Sequence, residues 1–305
     1  MSITPYKPSQ TDHTLEISDM SSKFTYEGTS KTLETPEGNL HYHDLGEGPV
    51  LILLHGSGPG VSAWANFRSN IDLFSQHFRC LLLDMPGFGG SDDVEGHPMM
   101  TAPAAVVRFM DGLGIDKANI LGNSMGGGVG ANVAADHPDR VIRLAMIGGI
   151  GMPLFNSFPP EGIKLLADFV ADPTREKITT WMQSMVYDQS LITEEFIDER
   201  YSQATKSAAN ESIQKMYSRE SLEMMRQFMG GAAMLNRLEF MGRIEAPTLI
   251  TWGRDDRVSP LDMALVPMRL IAKAELHTFY DCGHWAMIER KEEFESTMMS
   301  FFRRS

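Results

Sequence analysis

Gly122-Asn123-Ser124-Met125-Gly126-Gly127 is the stretch on which the reading of this chain turns. It follows an apolar run, Ala118 to Leu121, and opens a helix-like run, Val129 to Ala135. Strand, tight turn and helix in that order are the setting in which Gly-x-Ser-x-Gly becomes a nucleophile elbow. Glycines flank the serine because so tight a turn leaves no room for side chains near its backbone. The turn lifts the Ser124 hydroxyl to the top of a sheet and aims it at a substrate.

Serine is a poor nucleophile at neutral pH. It needs an imidazole to take its proton and a buried carboxylate to hold that imidazole in the correct tautomer. Both partners lie near the C-terminus. Pro247 to Trp252 reads as a strand with Gly253-Arg254-Asp255-Asp256-Arg257-Val258 as its loop. Glu275 to Tyr280 reads as another, followed by Asp281-Cys282-Gly283-His284-Trp285. The order Ser124, aspartate, His284 resembles that of α/β-hydrolases. In that fold the acid usually sits three residues after the loop glycine, which favours Asp256. Asp255 then caps the loop or pairs with Arg254 or Arg257.

Val50 to Leu54 reads as a buried parallel strand, and His55-Gly56-Ser57-Gly58-Pro59-Gly60 follows it. In the α/β-hydrolase fold this loop gives one backbone N–H to the oxyanion hole and the residue after the nucleophile gives the other. Ser57 and Met125 are the expected donors; His55 is expected to brace the turn. A phosphate cradle is disfavoured, because neither a Gly-x-x-x-x-Gly-Lys-Ser/Thr nor a dinucleotide Gly-x-Gly-x-x-Gly pattern stands in context.

The stretch from His55 through Trp64, Asn66 and Phe67 resembles the meta-cleavage product hydrolases, α/β-hydrolases that cut a carbon–carbon bond in ring-opened aromatic compounds. So do Asn123 to Gly127, the segment Met185 to Tyr201, Trp252 to Arg257, and Cys282-Gly283-His284-Trp285. The similarity runs from about Thr32 to the C-terminus. It implies a 2-hydroxy-6-oxo-hexa-2,4-dienoate substrate with a group at carbon 6, no metal and no organic cofactor, and a homo-oligomer. By the same resemblance Arg200 anchors the carboxylate, and Asn66 and Asn123 meet the dienol oxygen and carboxylate. Without the resemblance, Arg200 would read as a surface partner of Glu194 or Glu195, and Asn123 as a turn cap. Trp285 either packs over the dienoate or belongs to the core. The stretches Ile150 to Phe155 and Glu161 to Leu166 resemble members that take bulky groups, pointing to an aryl or larger substituent. A carboxylesterase or lactonase with the same triad is the alternative; a non-catalytic receptor is disfavoured by the intact Ser, Asp and His.

The chain has 305 residues, with 27 Lys plus Arg against 40 Asp plus Glu, a net charge of −13. That balance argues against nucleic acid and anionic membranes as partners. Two distant cysteines, Cys80 and Cys282, suggest neither a disulfide framework nor a metal site. No stretch reads as a signal peptide or a membrane span, so a cytoplasmic protein is expected.

The expected fold is an α/β-hydrolase: a mostly parallel central sheet, helices on both faces and an inserted helical lid. Residues 1–30 read as an N-terminal arm, 31–152 as the first part of the core, 153–241 as the lid and 242–305 as the second part. Strands are expected at Leu40–Leu45, Val50–Leu54, Phe78–Asp84, Ala118–Gly122 and Val141–Gly148, besides the two already named. Helices are expected near Ala63–Gln76, Met100–Leu113, Gly127–Asp136 and Arg290–Phe302. The 22 methionines concentrate in and after the lid, as core filler or as an adaptable pocket wall.

Overall fold

The computed structural model describes residues 23–228 and 238–304. Eight strands form one sheet in the order β1-β2-β4-β3-β5-β6-β7-β8: β1 Ser30–Leu33, β2 Leu40–Leu45, β3 Val50–Leu54, β4 Arg79–Leu83, β5 Ala118–Asn123, β6 Val141–Ile147, β7 Thr248–Gly253 and β8 Ala274–Phe279. β1–β2 and β2–β4 pair antiparallel; the pairs from β4 to β8 are parallel. Every residue of β5 and β7, and all of β3 and β4 but the first, is buried. That is why these strands read as continuous apolar runs rather than alternating ones: helices cover both faces of a parallel sheet.

Helices α1 Tyr26–Thr29, α2 Ala63–Phe67, α3 Ile71–Phe74, α4 Pro98–Gly112 and α5 Met125–Asp136 precede β6 or separate the strands before it. Between β6 and β7 come α6 Glu161–Ala171, α7 Arg175–Met185, α8 Glu194–Ala204, α9 Ser207–Tyr217 and α10 Arg219–Phe228. No strand interrupts them among the described residues. Threonine caps set two starts: Thr174 accepts from Lys177 N–H and Thr193 from Phe196 N–H, filling orphan donors of the first turn. Helices α11 Leu265–Leu270, α12 Ala286–Glu289 and α13 Lys291–Phe302 complete the chain.

Two expectations need correcting. The arm expected to reach residue 30 holds, from residue 25, a capped turn of helix leading into β1, which pairs with β2. Tyr26 of that turn packs its ring against His41, His43 and Trp64. Residues 1–22 of the arm lie outside the described residues, as do 229–237 of the expected lid. The single helix expected over Ala63–Gln76 is two short ones, with buried Asn70 between them donating to Met287 O and Glu295. The final helix expected over Arg290–Phe302 stands as α13, Lys291–Phe302, with the short α12 just before it.

A candidate active site at the carboxyl edge of the sheet

The loops after β3, β5, β7 and β8 all leave the same edge of the sheet, where open α/β sheets bind ligands. The β5–α5 turn holds Ser124 at φ 51° and ψ −114°, a left-handed conformation rare for a residue with a side chain. The glycines explain how the turn closes. A Cβ on Gly122 would strike the Gly126 carbonyl, and one on Gly126 would strike the Leu54 carbonyl at the end of β3. The β5–α5 turn and the end of β3 therefore meet backbone to backbone at Gly126. Ser124 is half-buried while its neighbours Asn123 and Met125 are buried, so the hydroxyl is what the turn presents.

His284 and Asp256 form a buried pair. Nδ1 of His284 lies 2.6 Å from Oδ2 of Asp256, and the two side chains are 2% and 1% exposed. Oδ1 of Asp256 accepts from the N–H groups of Val258 and Ser259, both at 2.8 Å. Both carboxylate oxygens are thus committed, which fixes the carboxylate and assigns the Nδ1 proton to His284. Asp255 instead turns outward to Arg254. The His284 loop is held from the insertion: His284 N–H donates to Met185 O at 2.7 Å, and a Cβ on Gly283 would meet that same carbonyl at 2.5 Å. Glu289 ties the two together, accepting from Gly283 N–H at 2.7 Å and Tyr187 N–H at 2.6 Å.

The loop after β3 is braced by His55 and Asn66. Nδ1 of His55 donates to Gly56 O at 2.6 Å and Nε2 accepts from Met85 N–H at 3.0 Å, a neutral imidazole in a fixed tautomer. Burial pushes its pKa down, in keeping with that form. Asn66 Oδ1 accepts from Gly56 N–H at 3.0 Å, while its Nδ2 is buried with no partner among the described residues. Asn123 gives Nδ2 to Ile147 O at 3.3 Å, so its amide also secures the turn.

Ser57, Asn66, Asn123, Ser124, Met125, Arg200, His284 and Trp285 all line one cavity of about 230 Å³. Asp256 stands behind His284 and is not among its walls. Arg200 is the cavity's one Lys or Arg among the described lining residues. It is buried and meets no carboxylate there: Glu194 pairs with Arg175 and Glu199 with Arg68. Its guanidinium donates to Pro59 O at 3.4 Å and faces the rings of Phe196 and Trp285 at 5.6 and 5.9 Å. Burial lowers its pKa to about 10, which still leaves it charged at neutral pH. A buried cation with no direct ion pair among the described residues, favoured only by the charge of Glu199 beside it in α8, is costly, so this geometry suits an incoming anion. Seven methionines, among them Met99, Met216, Met225 and Met263, complete the apolar wall.

Sequence reasoning missed Trp181 and Tyr217. Trp181 is buried against Gly58 and edge-on to Trp285 at 6.4 Å. Tyr217 hydrogen-bonds Ser57 from the end of α9. Neither belongs to a local motif; both are brought in by the insertion.

The family model for the alpha/beta hydrolase fold matches residues 49–291. Among curated relatives, the 2-hydroxy-6-oxo-6-phenylhexa-2,4-dienoate hydrolase of Comamonas testosteroni is 38% identical over 92% of this chain and 99% of its own length. A 2-hydroxy-6-oxononadienedioate/2-hydroxy-6-oxononatrienedioate hydrolase of the same species is 37% identical over 86% and 90%. A solved meta-cleavage product hydrolase of Pseudomonas fluorescens superposes with a TM-score of 0.80 at 33% identity, covering 90% of this chain and 97% of that one. With an elbow serine, an aspartate-held histidine and a buried arginine lining one cavity, and with these relatives over 86–92% of its length, the chain belongs to the α/β-hydrolases and, within them, to the meta-cleavage product hydrolases.

Proposed function

We propose that Ser124, Asp256 and His284 are the catalytic triad of a hydrolase that cleaves the carbon–carbon bond of 2-hydroxy-6-oxo-hexa-2,4-dienoates, formed when catechol-type rings are opened. The observation that carries this reading is the unpaired, buried Arg200 in the cavity shared by Ser124 and His284. A simple ester gives that cation nothing to bind; a dienoate brings a carboxylate that a guanidinium fork holds bidentately.

The reaction has two halves. The dienol first ketonises, a proton reaching carbon 5 with His284 as the shuttle. The later leaving group is then a stabilised carbanion rather than a vinyl anion. Ser124, deprotonated by His284, next attacks the carbon-6 ketone. The oxyanion is held by the backbone N–H groups of Ser57 and Met125, preorganised donors of the kind that supply much of such catalysis. The carbon–carbon bond breaks to leave acyl-Ser124 and 2-hydroxypenta-2,4-dienoate. Water activated by His284 releases the carboxylic acid. Asn66 and Asn123 face the dienol oxygen and carboxylate, Trp285 packs over the diene, and the segment 153–241 serves as the lid.

The relatives divide over the carbon-6 group: one is named for a phenyl substrate, another for a dioate. Arg200 is the single Lys or Arg among the described lining residues, and away from it and from the polar residues around Ser124 the wall, including Ile163, Leu166, Val258 and Met263, is apolar. A second carboxylate would be desolvated there without a partner. The substrate is therefore a monoanion with an uncharged, bulky group, an aryl ketone or larger. The test mixes the enzyme with yellow dienoates bearing phenyl, polycyclic, methyl and carboxyethyl groups, following loss of visible absorbance beside p-nitrophenyl esters. Fastest decay on the aryl dienoates, with acid and pentadienoate released, is the expected result. Ester cleavage with untouched dienoates would overturn it. We also propose a homo-oligomer in the cytoplasm, checked by light scattering and cell fractionation. None of the described helices is long and apolar enough to cross a membrane.

A further inference from the structure

Tyr217, the last residue of α9, is buried, and its Oη lies 2.5 Å from Oγ of Ser57, 160 positions earlier in the chain. Both residues line the cavity that Ser124 and His284 share. Each hydroxyl carries one proton to donate. Their mutual hydrogen bond uses one of the two, whichever oxygen gives it. Among the described residues neither hydroxyl bonds to any further protein group, so one donor proton remains, next to a cavity built to receive ligand oxygens. A phenol is the more acidic of the two hydroxyls, so Tyr217 is the natural donor and Ser57 the acceptor. The Ser57 proton is then the free one. Burial raises the pKa of Tyr217, so the phenol keeps its proton at neutral pH. Hydrogen bonds in series polarise one another, and a serine that accepts from a phenol becomes a better donor.

We propose that Tyr217 is a positioning residue that donates to Ser57 Oγ and turns the Ser57 hydroxyl onto the oxyanion, giving the hole a side-chain donor beside its two backbone N–H groups. The inference rests on the triad reading above. Ser57 belongs to the loop after β3, whereas Tyr217 belongs to the insertion. The third donor is therefore complete only while α9 is seated on the oxyanion loop, which couples closure of the site to its power to stabilise charge.

The experiment compares Tyr217→Phe, Ser57→Ala and the double variant, using an aryl dienoate and a p-nitrophenyl ester. Ser57→Ala is expected to lower kcat by about 10²-fold, the lower end for loss of an oxyanion donor, and Tyr217→Phe by about tenfold, because the serine stays but loses its orientation. Because Tyr217 acts through Ser57, the phenylalanine change should do nothing further in the Ser57→Ala background. Both substrates should suffer alike, since both pass through an oxyanion. In stopped-flow traces the ketonisation phase should keep its rate while the cleavage phase slows, with KM nearly unchanged. Unchanged kcat in Tyr217→Phe, or a loss confined to KM or melting temperature, would reduce the tyrosine to packing and overturn the proposal. Multiplying effects in the double variant would overturn it as well. Should Tyr217→Phe fold poorly, Ser57→Ala keeps the question open to measurement: it leaves the ring in place, and unaltered cleavage in that variant would sink the third donor. Turnover surviving Ser124→Ala would bring down the triad reading itself, a different outcome from any of these.

Discussion

Replacing Asp256 by asparagine interrogates the site through the position of one proton. Oδ1 of Asp256 accepts from two backbone N–H groups at 2.8 Å, and Oδ2 faces His284 Nδ1 at 2.6 Å. An asparagine keeps a single acceptor oxygen, and the two backbone donors claim it. Turning the amide nitrogen toward them would oppose donors to donors and strand two buried N–H groups, at about 1–3 kcal/mol each. The amide nitrogen therefore faces His284, and Nδ1 has to become an acceptor. The imidazole proton moves to Nε2, the atom that takes the proton of Ser124 in the proposed mechanism. With the base in the wrong tautomer, kcat should fall by about 10⁴-fold, as in other serine triads, a loss of about 5.5 kcal/mol at about 1.36 kcal/mol per decade. The assay is decay of the yellow dienoate at saturating concentration, with thermal melting and equilibrium binding as controls on fold and site. Asp255→Asn serves as the matched control: its carboxylate pairs with Arg254 at the surface, and kcat should stay within about twofold. A loss below about tenfold in a well-folded Asp256→Asn enzyme would refute the reasoning, since the tautomer would then not be set by this carboxylate.

Ser124→Ala should lower kcat by about 10⁴-fold or more while the dienoate still binds and colours the protein; undiminished turnover would remove serine catalysis. Arg200→Ala should raise KM for dienoates by about 30- to 100-fold, the value of one charge-assisted pair, and leave p-nitrophenyl ester hydrolysis within a few-fold; equal losses on both would mark a structural arginine. Burial, with His41 nearby, lowers the pKa of His43 from 6.5 to about 4, so the unfolded chain takes up its proton first as pH falls. Stability from this residue is complete above about pH 6.5 and is lost as pH drops towards 4, by about 2 kcal/mol after allowance for screening. His43→Asn should flatten the melting temperature over that interval, and an unaltered slope would assign the acid sensitivity elsewhere.

The parts of this molecule legible in the sequence are those whose physics is local. A nucleophile elbow needs a positive φ at Ser124 and bare backbone at Gly122 and Gly126, so it writes glycines at fixed offsets. Strands buried on both faces write unbroken apolar runs, and β3, β4, β5 and β7 stand within a residue or two of where those runs lie. β1 wrote no such signal. Its four residues, Ser30 to Leu33, are only half-buried or exposed and are held by pairing to β2 rather than by an apolar face. The break between α2 and α3 was equally silent, because Asn70 is held by Met287 and Glu295, more than two hundred positions away.

The same distinction explains why the reaction is easier to read than the substrate. In the proposed reaction, attack, proton transfer and charge stabilisation depend on four short loops at one sheet edge, and each carries its own pattern of glycine, serine, aspartate or histidine. The wall proposed to meet the carbon-6 group draws on Ile163 and Leu166 of α6, Trp181 of α7, Met216 and Tyr217 of α9, and Val258 and Met263 after β7. None of these is constrained by its sequence neighbours; each needs only to be apolar and of the right volume at one point in space. Glycine at 58 shows the coupling: its missing Cβ is where the Trp181 ring lies, so residues 123 positions apart set the width of the pocket together. Chemistry is thus fixed by local geometry that tolerates little change, whereas selectivity is fixed by sums of side-chain volumes over distant positions. Relatives of nearly equal identity, 38% and 37%, can for that reason carry names for a phenyl and a dioate substrate on one catalytic frame.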